Sequence, residues 1–211
     1  IYIANVSVWM ESLNLWDSFS NRIATIYLPD RRRPMLPTRL SDFLCSLQEN
    51  QKRFALVCEV IVKDNEILDV TFKNAVIKVY KNYRYEEEDL LRDNNYLKLL
   101  KAVKPISKKY KYASITVKNS HEVVSYLMIM MNYHCAKKMI ENKNGIYRSA
   151  FIKNDNLIKE DLPEDVTKQI TLWNAASGQY QHYGDTLKHE LMDLESYIHI
   201  TSPIRRLVDL L

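Results

Sequence analysis

One stretch constrains the fold of this chain more than any other. Phe54 to Val62 reads FALVCEVIV, a β-branched, apolar run of strand length. Asp64-Asn65-Glu66 follows as a turn signal, and Ile67 to Val79 alternates again. Together they predict an antiparallel hairpin.

The flanking elements read less evenly. Ile1 to Trp9, IYIANVSVW, alternates and predicts a strand. Glu11 to Ile26 places Leu13, Trp16, Phe19, Ile23 and Ile26 at helical spacing and predicts a helix. The loop YLPDRRRPMLP then carries prolines at 29, 34 and 37, which deny it a regular ladder. Ser41 is placed to cap a short apolar turn, SDFLCSL. Glu86 to Val103 predicts a helix with Leu90, Leu91, Leu97 and Leu100 on its apolar face. Lys104 to Tyr112, KPISKKYKY, is basic and aromatic and predicts surface. Glu122 to Asn142 is the clearest helix and is apolar nearly all round in its middle, so it is buried on more than one side. Tyr147 to Asn154 reads as a strand, Pro163 to Trp173 as a helix, and His189 to Leu211 as a tail ending SPIRRLVDLL. The order predicts one α+β domain over residues 1–211, a mixed or antiparallel sheet surrounded by helices. Because the chain starts with Ile1, inside a strand, we expect it to be a fragment truncated at both ends.

Composition narrows the chemistry. Only 3 glycines occur among 211 residues, where average usage of about 7% gives roughly 15. No GxGxxG and no Walker A loop can be written with Gly145, Gly178 and Gly184. HExxH and GxSxG are absent as well, and His189-Glu190 lacks a second histidine. Cys45, Cys58 and Cys135 have no metal-type spacing, and their odd number favours a reducing, intracellular setting. The longest apolar run, Val123 to Ala136, is too short to span a bilayer and contains Asn132 and His134, so no membrane association is expected. A net charge of +4 leans mildly towards polyanions.

Three groups of residues carry candidate chemistry. Arg31, Arg32 and Arg33 stand beside Tyr27 on a proline-stiffened loop, which suits a nucleic-acid backbone and a base; the plain alternative is a solvated basic turn. In YKNYRY, Tyr80, Tyr83 and Tyr85 interleave with Lys81 and Arg84. On a strand face those rings would stack bases, or simply be half buried. In TSPIRRLVD, Ser202 and Arg205 are placed to meet a phosphate at a helix start. The alternative is an ordinary capped helix in which Arg205 pairs with Asp209.

These segments, in order, resemble one family. YLPDRRRPMLPTRLSDFLCSL is similar to the YLPDR-x-x-PMLP-x-x-LS-x-x-LCSL signature of the ribonuclease II / ribonuclease R catalytic (RNB) domain. IYIANVS resembles its IxIADVS strand, YRYEE its LTYEE segment, and NSHEVVSYLMIMMN its SHELVEEFMLLAN helix. GIYRSAF resembles IYRVHE, and SYIHITSPIRRLVDLL resembles AYTHFTSPIRRYPDLI. The resemblance implies 3′-to-5′ hydrolysis of single-stranded RNA to 5′-nucleoside monophosphates, with two Mg²⁺ ions held by a D-x5-D-x-DD cluster. In the family that cluster precedes the IADVS strand. No such cluster occurs here, so the metal ligands are expected upstream of this chain and the chain alone is expected to be inactive.

By the same resemblance Arg205 is the catalytic candidate facing the scissile phosphate. Tyr27 and Tyr85 contact nucleotides, and Arg31, Ser202 and Arg206 complete the RNA-binding set. Single-stranded RNA is the expected partner, with accessory OB-fold domains or a larger RNA-processing complex beyond it. Departures point the other way. Asn5 replaces the aspartate of IADVS, and Ser125-Tyr126 replaces the EE pair, one member of which holds a 3′-terminal ribose. Leu191 and Asp193 replace small residues, and Leu207-Val208 replaces Tyr-Pro after SPIRR. Two readings follow: an exoribonuclease domain, or an inactive RNB-like homologue that binds RNA or scaffolds.

Overall fold

The computed structural model describes residues 1–18, 22–112, 115–150, 163, 166–167, 169–170, 178–184 and 187–211. Its strands are β1 (Tyr2–Ala4), β2 (Ile26–Tyr27), β3 (Arg32–Arg33), β4 (Lys52–Lys63), β5 (Glu66–Lys78), β6 (Ile146–Ser149) and β7 (Gln179–His182). Its α-helices are α1 (Ser7–Ser12), α2 (Glu88–Arg92), α3 (Asn94–Lys109) and α4 (Ser120–Glu141). The class is α+β, as expected.

The hairpin is the scaffold. β4 and β5 pair antiparallel from Lys52↔Lys78 to Lys63↔Glu66, with a bulge between Ile61 and Val62. Asp64 and Asn65 turn the corner with φ of 51° and 63°. Asp and Asn tolerate the left-handed region that such two-residue turns require. β1 adds to the other edge of β4, with Ile3 opposite Leu56. The strands do not form one sheet as expected. Among the described residues there are three antiparallel sheets, β1-β4-β5, β2-β3 and β6-β7.

Several local expectations give way. The N-terminal strand stops at Ala4, and α1 starts at Ser7. Asn5 ends it, because its Oδ1 accepts from Ser7 Oγ (2.8 Å) and from the Val8 N–H (3.3 Å), as a helix-capping side chain does. Among the described residues, the helix expected over Glu11–Ile26 gives way to the end of α1, a left-handed turn at Asn14, a single 3₁₀ turn at Trp16–Ser18 and non-helical chain over 22–26. Residues 19–21, with the expected Phe19, lie outside the described residues. The proline-rich loop does make a small ladder: Ile26↔Arg33 and Tyr27↔Arg32, closed by Leu28 N–H to Arg31 O at 2.9 Å. Pro29 sits in the turn, where its missing donor costs nothing. Ser41 is no cap. It lies inside a six-residue π-turn of helix, Arg39–Leu44, and its hydroxyl donates to Asp42. Strand β5 ends at Lys78, so Tyr80, Tyr83 and Tyr85 are not on a strand face.

The expected helix over Glu86–Val103 splits at Asp93, whose carboxylate accepts from Tyr96 N–H (2.8 Å) and caps α3. α3 then runs through Pro105 to Lys109, into the stretch expected to be surface. Ile106, Ser107 and Tyr112 are buried there. α4 begins with a reciprocal capping box between Asn119 and Glu122. Gly145, at φ 111°, turns the chain from α4 into β6, and a Cβ there would stand 3.2 Å from Met139 Cβ. The strand expected over Tyr147–Asn154 is described only to Ala150. Most of the helix expected over Pro163–Trp173 lies outside the described residues; Val166, Thr167, Gln169 and Ile170 are helical.

α4 organises the main core. Val123, Tyr126, Ile129 and Met130 pack with Val103 and Ile106 of α3 and with Leu194 and Tyr197 of the tail. A second core joins Ala4, Val6 and Met10 to Met35, Leu36, Leu40, Cys45 and Leu210. All three cysteines are free thiols, and burial pushes Cys135 up to about 12. Among the described residues no helix is long and apolar enough to cross a membrane.

Candidate functional site

The tail is stitched to the N-terminal third by backbone. Thr25 N–H donates to Arg205 O and Leu207 N–H to Ile23 O, both at 2.8 Å, beside the bridge Ala24↔Arg206. That seam brings Tyr27 to Arg205 across 178 positions of sequence. Both line an open groove of about 300 Å³ together with Ser202, Pro203, Thr201, Leu47 and the β1 residues Tyr2–Ala4. Tyr27 is 64% exposed, so its ring is presented rather than packed.

The turn carrying Arg205 is built rigidly. Arg205 and Arg206 N–H both donate to Ser202 O, at 3.0 and 3.1 Å, with Pro203 between them. Only a three-residue 3₁₀ turn, Leu207–Asp209, follows, so the helix start expected after Ser202 is absent. Asp209 closes the turn from below. Its Oδ2 accepts from Ser202 N–H and from Arg206 Nη2, both at 2.8 Å, and its Oδ1 lies 2.6 Å from Arg206 Nε. The partner of Asp209 is therefore Arg206 and not Arg205. Arg206 is drawn inward, whereas Arg205 is exposed and makes no side-chain hydrogen bond or ion pair among the described residues.

Behind this turn lies a positive, buried cluster that sequence reasoning passed over. His199 accepts from Arg148 Nη1 at Nε2 (3.4 Å) and meets Tyr180 Oη at Nδ1 (2.7 Å). Burial first, and then Arg206, Arg148, His189 and Arg205, push its protonation down to about 3, so it is a neutral ring among cations. The adjoining Tyr197 ring lies 5.4 Å from His199, and its hydroxyl accepts from Asn132 Nδ2 at 2.8 Å. Asn132 Oδ1 in turn accepts from Ile200 N–H, which fixes the approach to the turn against α4. An Asn in an apolar helix was the available sequence signal for this brace.

Other expected residues stand apart. Arg31 and Arg33 are exposed on the β2–β3 turn, while Arg32 is held by both oxygens of Asp42. Tyr85 does not line the groove. It is 56% exposed at the start of α4, its ring 5.0 Å from that of His121. Glu86 anchors it, accepting from Ser120 N–H at 2.7 Å. Among the described residues no group of three or more His, Cys, Asp or Glu is placed to hold a metal ion. Asn5, which stands where the resemblance has an aspartate, spends its amide on Asn74 Oδ1 (2.9 Å) and its oxygen on α1. These residues do not fit a two-metal centre.

The fold and the groove define an RNB-type domain, and the chain belongs to that family: its model, described as RNB domain, matches residues 1–116. Ribonuclease R of Buchnera aphidicola (subsp. Schizaphis graminum) is 26% identical over all of this chain, which spans 39% of that relative. The structure of Mycoplasma genitalium RNase R in complex with double-stranded RNA superposes with a TM-score of 0.77 at 22% identity, over 99% of this chain and 50% of that one. Yeast Ssd1, described as a pseudonuclease, superposes with 0.71 at 13% identity, over 89% of this chain and 31% of that one. At these identities both structural likenesses are likenesses of fold.

Proposed function

We propose that the groove holds the 3′ end of single-stranded RNA within a 3′-to-5′ exoribonuclease that releases 5′-nucleoside monophosphates. The observation that carries this reading is the convergence of Tyr27, Ser202 and an unpaired Arg205 on one open groove. The Arg205 guanidinium bonds two oxygens of the scissile phosphate, where negative charge builds during hydrolysis. Tyr27 offers a face for stacking, Ser202 a hydroxyl, Arg31 a flanking charge and Tyr85 a more distant contact. Arg206 serves through Asp209, by holding the turn. Mg²⁺ ions, with ligands beyond the residues described, belong to this proposal and not to the groove itself.

A second reading is supported by a specific observation. Among the described residues no carboxylate lines the groove, and Ser125-Tyr126 stands where the resemblance has the two glutamates, one of which holds a terminal ribose. Taken with the fold shared with a pseudonuclease, this favours an RNA-binding homologue without hydrolysis. Both readings require the groove to bind RNA. Fluorescence anisotropy with a labelled single strand of about six nucleotides, within one single-strand site, tests that. Tyr27→Ala costs about 1–3 kcal/mol of binding if the ring stacks on a base. Unchanged affinity in Tyr27→Ala and Arg205→Ala together, or equal affinity for a blunt duplex, overturns the groove assignment.

A further inference from the structure

Charge in this chain is sharply segregated. Residues 94–118 contain seven lysines and no Asp or Glu. Seven lysines against a net charge of +4 leave the rest of the chain at −3. Most of that segment is α3, whose buried side is Tyr96, Val103, Ile106 and Ser107. Lys98, Lys101, Lys104 and Lys108 fall on the opposite side, within an arc of about 120° at 3.6 residues per turn, and all four are exposed. Ten residues of helix spread these ammonium groups over about 15 Å.

Elsewhere several exposed bases are matched to acids, as in Lys73–Glu59, Lys81–Asp89 and Lys138–Glu141. On α3, among the described residues, Lys109 alone has such a partner, Glu66. Lys98, Lys101, Lys104 and Lys108 make no ion pair or side-chain hydrogen bond among the described residues. A row of unneutralised cations on a rigid helix repels itself and is complementary to a polyanion of regular charge spacing. Lysines act as point charges without bidentate geometry, so the face suits a phosphate backbone irrespective of sequence. A bilayer suits it less, because Val103 and Ile106 are packed on α4 and Leu97, 46% exposed, is the one large apolar side chain within the lysine arc, too little to insert. A protein partner fits poorly as well, since lysine is depleted at the centres of such interfaces.

We propose that the lysine face of α3 is a second RNA contact, outside the groove, that grips the backbone of strands longer than the groove holds. It rests on the reading that this chain engages RNA. The test uses the chain as it stands, with labelled single strands of roughly 6 and roughly 24 nucleotides, the shorter within one single-strand site. The variant replaces Lys98, Lys101, Lys104 and Lys108 with Gln, and circular dichroism confirms its fold. The longer strand should lose tenfold or more in affinity, and its log–log salt slope should fall by about 2 to 3, at roughly 0.7 per lost phosphate contact. The shorter strand should bind unchanged, while Arg205→Ala weakens it. An unchanged slope for the longer strand, equal loss for both lengths, or lysine-dependent binding to phosphatidylserine vesicles without RNA binding overturns the proposal. If Arg205→Ala leaves the short strand unaffected while the lysine dependence persists, the groove reading fails and this one stands.

Discussion

Neighbouring arginines in one turn should behave oppositely when removed. Arg206 and Asp209 form a pair in which the carboxylate side chain is fully buried and the guanidinium is 28% exposed. Breaking a buried pair by deleting one partner costs about 3–5 kcal/mol, and the partial exposure of Arg206 argues for the lower figure, about 3 kcal/mol. For a chain of this size each kcal/mol lowers Tm by about 2–4 °C, so Arg206→Ala should melt roughly 6–12 °C early. Asp209→Ala should cost at least as much, because it also strips the Ser202 N–H of its acceptor. Removing both partners should cost less than the two single losses together, since no orphaned charge remains. Arg205→Ala, at an exposed position, should stay within about 0.5 kcal/mol of the parent. Thermal melts and urea titrations of the four variants decide the matter. If the Arg205 and Arg206 variants melt together, the division of labour drawn here is wrong, and Arg205 is structural.

The remaining expectations are shorter. Incubated with 5′-labelled RNA and Mg²⁺, the 211-residue chain should give no product ladder; a ladder abolished by Arg205→Ala would refute the separation of groove from metal ligands. In an active longer form, Arg205→Ala should lower kcat roughly a hundredfold with little change in Tm, and Arg205→Lys should recover little of it. His199 protonates near pH 3 in the fold but near its ordinary 6.5 when unfolded, so the unfolded chain binds more protons between those values. Stability therefore rises with pH across that window and is lost on acidification, by about 1.4 kcal/mol per pH unit. Burial of His134 and His189 acts in the same direction. A Tm that stays flat from about pH 7 to about pH 5, in the parent and in His199→Gln alike, would contradict this.

How much of this was legible in the sequence depends on whether the information was local. The β4–β5 hairpin was, because alternation and the Asp64-Asn65 turn lie within one window. α4 was, because its capping box and apolar run are contiguous. The segment from Glu11 to Ile26 was not: it has helical spacing, but the backbone of Ile23 and Thr25 pairs with residues 205–207, which no local pattern reveals. The motifs named Tyr27, Ser202 and Arg205, yet only the fold shows that they share a groove and that Tyr85 does not. Arg206 and Arg205 are indistinguishable by sequence chemistry. One carboxylate placed beneath the turn makes one of them a brace and leaves the other free.

The same contrast separates the two departures at Ser125 and Tyr126. Tyr126 is 1% exposed, its hydroxyl donates to Tyr110 O at 2.9 Å, and its ring lies 5.7 Å from that of Tyr112. A carboxylate at 126 would stand in an aromatic core among Tyr110, Tyr112 and Tyr126's other neighbours, where an unpaired charge is costly. Loss of an acid there is a core exchange, already absorbed by packing. Ser125 is only half buried, so a glutamate would meet little packing cost, and its absence removes a contact without repairing anything. What the chain keeps of the family pattern is Arg205 on a braced turn, with Tyr27 lining the same groove. What it lacks is the carboxylate by which the resemblance reads a terminal ribose. On the proposed reading, a groove of that composition would grip backbone and base with no carboxylate for the terminal ribose, and the proposed lysine face of α3 would take up the remainder of a long strand.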